Sequence, residues 1–119
     1  LSNDNLILAL DFDDTYTANP ELWDSFIILS QMCNTEVVIA TYRHEVEDAD
    51  PALDRIKRLG TRCYFTDGKA KKPFLEALGV NVNIWIDDRP QTVYMDSAWA
   101  QNSPELHAWR EANAERLKA

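Results

Sequence analysis

Leu6-Ile-Leu-Ala-Leu-Asp-Phe-Asp-Asp-Thr15 runs through five aliphatic residues and then meets three carboxylates within four positions. An apolar run without polar alternation predicts a strand covered on both faces, the kind found inside a parallel sheet. Such strands deliver their last residues to the carboxyl edge of the sheet, where open α/β folds keep their sites. If the extended backbone continues past Leu10, Asp11 and Asp13 project to one side and Phe12 turns back into the core. Two carboxylates this close resist burial unless a cation compensates them, and a hard divalent ion such as magnesium takes oxygen ligands of this kind.

The rest of the chain repeats the pattern. Pro20 opens a helix capped by Asn19, with Leu22, Trp23, Phe26, Ile27, Leu29, Ser30 and Cys33 at helical spacing and Asn34 ending it. Glu36 to Ala40 is a second buried strand, ending on Thr41-Tyr42-Arg43. The acidic, irregular stretch from His44 to Pro51 leads into a helix over Ala52 to Leu59, closed by Gly60, and a short strand over Arg62 to Phe65. Lys69-Ala70-Lys71-Lys72 then precedes a helix from Pro73 to Leu78, closed by Gly79. Asn83 to Ile86 is a fourth strand and runs directly into Asp87-Asp88-Arg89-Pro90. Gln91 to Ala100 reads as a short helix, with a weak fifth-strand candidate at Tyr94 to Trp99. Ser103-Pro104 opens a last helix whose thin apolar stripe, Leu106, Trp109, Ala112 or Asn113, and Leu117, is expected to pack on the sheet. Strands and helices alternating at these intervals predict an α/β fold around a parallel sheet with right-handed crossovers.

At 119 residues the chain is expected to form a single domain, 1–119. Its net charge of −8 argues against non-specific nucleic-acid binding. Seven of its twelve basic residues nevertheless gather between Arg55 and Lys72, so a local basic rim is compatible with that charge. No apolar run reaches membrane-spanning length, and the first residues lack the signature of a signal peptide; both point to a cytoplasmic protein with no membrane partner. Cys33 and Cys63 are far apart and lack metal-ligand spacing, which predicts buried free thiols in a reducing compartment.

Three strand ends therefore carry Asp11 with Asp13, Thr41 with Arg43, and Asp87 with Asp88, with a lysine cluster between the last two. In a parallel sheet all three lie on one edge. The set suits phosphoryl transfer. Asp11 can accept a phosphoryl group as an aspartyl phosphate, and Asp13 can give and take the protons. Thr41 and a lysine can hold the phosphate oxygens, while Asp87 and Asp88 complete a magnesium shell with Asp11.

Asp11-Phe-Asp-Asp-Thr15, Ile39-Ala-Thr-Tyr-Arg43, the lysine segment and Ile86-Asp-Asp-Arg89 resemble, in order, the four motifs of the haloacid dehalogenase superfamily. The resemblance spans roughly residues 6 to 95. It implies a Rossmann-like three-layer sandwich with Asp11 as nucleophile, Asp13 as general acid and base, and Thr41 as phosphate binder. Asp88 would bind magnesium directly and Asp87 through water, roles the two could exchange, and the main-chain carbonyl of Asp13 would be a further ligand. The dehalogenase branch does not keep the second aspartate, so Asp13 points to a phosphatase. The resemblance implies a catalytic lysine just before the helix that leads to the fourth strand, at Lys69, Lys71 or Lys72; the four-residue spacing of Lys71 from Leu75 resembles that of capless members and favours it, with Lys72 second. The short intervals after Thr15 and between Arg43 and Lys69 leave no room for a cap domain. By family analogy an open site goes with a large substrate or with a homo-oligomer that closes the pocket. Residues 87 to 95, together with Arg43, also resemble the phosphatase half of phage-type polynucleotide kinase 3'-phosphatases. That likeness points to a nucleotide or a nucleic-acid end as the substrate, with Arg43 and Arg89 as candidate phosphate or site-ordering contacts; a sugar phosphate or another phosphorylated small molecule is the wider expectation, and Thr41, Lys71 and Lys72 are the other substrate-binding candidates. The alternative is a non-catalytic module of the same fold that holds a phosphorylated ligand.

Overall fold

A computed structural model describes residues 6–98 and 104–117. Four parallel strands form the centre: β1 (Ile7–Leu10), β2 (Glu36–Thr41), β3 (Cys63–Phe65) and β4 (Ile84–Ile86), in the order β3-β2-β1-β4. Leu8, Ala9 and Leu10 in β1, and Val37, Val38 and Ile39 in β2, are all buried, as a two-sided apolar pattern requires.

The two faces are covered by different helices. Leu8, Leu10, Val37 and Ile39 pack with Ile27 of α1 (Pro20–Met32) and with Leu53 and Ile56 of α2 (Pro51–Arg58). Ala9, Val38 and Ala40 face the other way, onto Leu75 and Phe74 of α3 (Lys71–Ala77). The chain is thus a three-layer α/β sandwich. Because β2 and β4 flank β1 while their connections pass over opposite faces, the carboxyl ends of β1 and β4 border the point where strand order reverses, which is where such sheets bind ligands. The main-chain N–H of Asp11 donates to the carbonyl of Ile86 at 2.9 Å and locks those two ends together.

Local signals explain the helix ends. The Asn19 side chain accepts from the Leu22 N–H, Pro20 fills the first turn, and Asn34 adopts the left-handed conformation (φ 56°) just past the end. Asp50 caps α2 by accepting from the Ala52 N–H.

Several expectations need correction. The third helix begins at Lys71 rather than Pro73, because a proline lacking its N–H is tolerated throughout a first turn, whose donors have no helical partner. Of the α1 residues expected on the inner face, Trp23, Phe26, Ile27 and Ser30 turn inward, whereas Leu22 and Leu29 are exposed. Cys33 is exposed as well, since the helix stops at Met32 before another turn can carry it to the core, and Cys63 is only partly buried; both thiols are free.

From Tyr94 to Ala98 no strand forms; the described sheet has four strands, and Trp99 and Ala100 lie outside the described residues. The chain makes a single turn, α4 (Gln91–Tyr94), and then crosses to the loop before α3. There the Ser97 N–H donates to the Gly68 carbonyl at 2.7 Å and the Asp96 carboxylate accepts from the Ala70 N–H at 2.7 Å. The last helix is divided into α5 (Pro104–Ala112) and α6 (Ala114–Leu117), and Ser103 lies outside the described residues. Its apolar stripe meets α3 instead of the sheet: Trp109 stacks on Phe74 with ring centroids 5.7 Å apart, and Arg116 donates to the Glu76 carbonyl. The side chains of Leu106 and Leu117 are outside the described set. Residues 17–19 separate the β1 loop from α1, and α2 and β3 with their connecting loops make up the chain between β2 and α3.

Candidate active site

The apolar run of β1 ends at Leu10, and the chain then folds into a tight turn over residues 12–16 instead of continuing as a strand. Phe12 is nevertheless fully buried, held by the turn rather than by strand alternation, and stacks on buried Tyr16 with ring centroids 5.7 Å apart. Asp14 sits in the left-handed region (φ 61°), steadied by its N–H donating to the Thr17 hydroxyl. The turn brings Asp11, Asp13 and Asp14 to the rim of one cavity of about 90 Å³, shared with Thr41, Tyr42, Lys71, Asp87, Asp88, Arg89 and Thr92. All three strand ends singled out by sequence therefore converge.

Lys71 is the central cation. Its side chain is 1% exposed, and its Nζ donates to Asp11 Oδ1 at 2.8 Å and to Asp87 Oδ2 at 2.6 Å. A buried ammonium at a helix N-terminus is unfavourable both by desolvation and by the helix dipole, so two carboxylates are what makes the position tenable. Lys72, one residue on, points away. Its Nζ lies 5.7 Å from the Tyr94 ring centroid and lines a separate groove of about 470 Å³ bordered by Trp109, Arg110 and Arg116. Lys69 lies over Phe74, 6.0 Å from the ring centroid.

Asp11, Asp87 and Asp88 each offer an oxygen within 4.8 Å of the others. Burial, and then a hydrogen bond to Asp88, push the Asp11 carboxyl up to about 7, against the pull of Lys71. The same bond from Asp11 holds Asp88 below its ordinary value. Thr15 ties them together: its hydroxyl lies 3.2 Å from Asp11 Oδ2 and 3.1 Å from Asp88 Oδ1, and accepts from the Asp88 N–H at 3.3 Å. Asp87 is engaged elsewhere, by Lys71, by the Arg89 N–H at 2.9 Å and by the Thr92 hydroxyl at 3.1 Å. Five aspartates against Lys71 and Arg89 line the cavity, and carboxylate oxygens are the donors that magnesium takes. The residues fit a hard divalent cation, with Asp11 and Asp88 better disposed to bind it directly than Asp87. The Asp13 side chain does not join this group. It turns to Arg43, so any part it has in holding metal falls to its carbonyl.

Thr41 is buried at the end of β2, its hydroxyl accepting from the Arg43 N–H at 3.2 Å. Tyr42 covers the Lys71 side, its ring centroid 5.7 Å from Nζ and its hydroxyl donating to the Met95 carbonyl. Burial and then the nearby Asp96 and Asp87 push its phenol up to about 12. Thr15, Tyr42 and Thr92 were not singled out from sequence. The available signal was spacing: Thr15 and Thr92 each lie four residues beyond an aspartate of the site, at a turn and in a helix's first turn.

Comparison with protein-family models, with curated proteins and with solved structures returns no significant match.

Proposed function

We propose that this chain is a capless phosphatase of the haloacid dehalogenase type, hydrolysing a phosphomonoester with the help of magnesium through an aspartyl phosphate on Asp11. The observation that carries the reading is the Lys71 ammonium bonded to both Asp11 and Asp87, beside Asp88 and at the rim shared with Asp13 and Thr41. Magnesium bound by Asp11, Asp88 and the Asp13 carbonyl would supply positive charge against the phosphate oxygens and keep Asp11 ionised. An Asp11 oxygen forms the new bond to phosphorus while the ester P–O bond breaks, and the departing oxygen takes a proton from Asp13. Water then attacks phosphorus, giving its proton to Asp13, and the P–O bond to Asp11 breaks. Lys71 and the Thr41 hydroxyl face the equatorial oxygens. With no cap element in either interval, the cavity opens to solvent, which suits an ester whose bulk remains outside, such as a nucleotide or a nucleic-acid end.

The test is phosphate release from nucleoside monophosphates, sugar phosphates and 3'-phosphorylated oligonucleotides, with magnesium or chelator, for the wild type and Asp11→Asn. Magnesium-dependent release that disappears in Asp11→Asn is expected. Ligand binding without turnover, unchanged by Asp13→Asn, would instead identify a non-catalytic phosphate-binding module.

A further inference from the structure

We infer that Arg43 is a positioning residue for Asp13, fixing the carboxylate that moves protons rather than gripping the phosphate. The inference rests on the phosphatase reading above and adds to it a role for the acidic, irregular chain between β2 and α2. Arg43 Nε lies 3.0 Å from Asp13 Oδ2 and 3.3 Å from Oδ1, and Nη2 donates to Oδ1 at 2.8 Å. Nη1 donates to the Asp48 carbonyl at 2.7 Å, and Nη2 is 3.9 Å from Asp50 Oδ2. The guanidinium also lies over the ring of buried Phe12, 5.0 Å from its centroid.

Asp13 needs such a hold. Its side chain is half exposed on a turn, where an untethered carboxylate samples several rotamers. A bidentate guanidinium selects one. A carboxylate has about four lone-pair sites; the two N–H donors of the fork engage one on each oxygen and leave the others free for a reacting proton. Arg43 is itself seated by the chain between β2 and α2. The His44 N–H donates to Asp48 Oδ2 at 2.7 Å, and His44 Nδ1 accepts from the Val46 and Glu47 N–H groups. Asp50 joins this seat to the cap of α2, which Leu53 and Ile56 anchor in the core. During turnover Asp13 gives its proton to the leaving oxygen and later takes one from water, while Arg43 keeps its protons throughout.

Hydrolysis of p-nitrophenyl phosphate with magnesium, and the inhibition constant of inorganic phosphate, test this on wild type, Asp13→Asn, Arg43→Gln, Arg43→Lys and the double variant Asp13→Asn with Arg43→Gln. Misplacing Asp13 is expected to lower kcat of Arg43→Gln by roughly tenfold to a hundredfold. KM and the phosphate inhibition constant should stay within about twofold, and the double variant should be no slower than Asp13→Asn alone. Arg43→Lys keeps the charge but lacks the fork, so it should remain slow; it also carries the comparison if Arg43→Gln does not fold. Losses that multiply in the double variant, with phosphate inhibition weakened about tenfold or more, overturn the inference and make Arg43 a phosphate ligand. Failure of the wild type to hydrolyse any ester in the wider panel is a different result: it removes the phosphatase reading, and the role of Asp13 with it.

Discussion

Asp11 is the residue on which the site turns, and its environment sets a pH dependence. A carboxyl raised to about 7 by burial and by Asp88 is mostly protonated at pH 6 and mostly ionised at pH 8. A cation that needs the ionised form must displace that proton at the lower pH and meets no such cost at the higher one. Magnesium affinity should therefore tighten about tenfold from pH 6 to pH 8, with uptake of the released proton by buffer visible in calorimetry. A flat profile would mean that the ion does not use Asp11. The same proton has a sign for stability: a carboxyl whose folded value lies above its unfolded one costs stability as pH rises from about 4 to about 7, and bound magnesium should erase that slope. Lys71 supplies the opposite charge. Lys71→Met leaves Asp87 and Asp11 buried without their cation, which should cost about 3 kcal/mol in urea unfolding and abolish turnover. A loss near zero would show that water reaches the pair. The sequence announced these aspartates by breaking an apolar run, but not that Thr15 and Thr92 would hold them, because threonines in turns serve many purposes and only the fold brings these two beside Asp88 and Asp87.

Elements were legible where burial is two-sided or caps are explicit. β1 and β2 declare themselves by unbroken aliphatic runs, and α1 by Asn19 and Pro20. The third helix was harder to bound, since Pro73 carries the same signal anywhere in a first turn, and the shift by two residues puts Lys71 on the helix itself. The final helices were misplaced for a tertiary reason: with no fifth strand over the described residues, the chain after α4 is tied to residues 68–70, and α5 lands on α3. These placements predict a contrast. Leu75 is fully buried one turn from Lys71 and packs under Ala9, Val38 and Ala40. Leu75→Ala should cost about 2–5 kcal/mol and lower kcat by loosening the lysine. Trp109→Ala removes a partly exposed stack on the outer side of α3, which should cost only about 1 kcal/mol and leave kcat unchanged. Equal effects on turnover would mean that the C-terminal helices reach the site.

Across the whole molecule, charge and topology pull against each other. The switch point of the sheet places the cavity beside Lys71, where the proposed phosphate ester would meet it, yet the chain carries a net charge of −8. At low salt the Debye length is about 30 Å and an approaching phosphate feels the whole negative surface. At physiological ionic strength it shrinks to about 8 Å, and only the charges at the mouth are felt. With magnesium held constant and saturating, kcat/KM for a phosphomonoester dianion should therefore rise between about 10 mM and 150 mM salt. That is the reverse of an enzyme that steers its anionic substrate with a positive field. Stopped-flow or initial-rate measurements at substrate well below KM would read it directly. A rate that falls with salt would mean that Arg89 and the basic side chains near α3 dominate the approach, giving the open site a local attraction that the overall charge conceals.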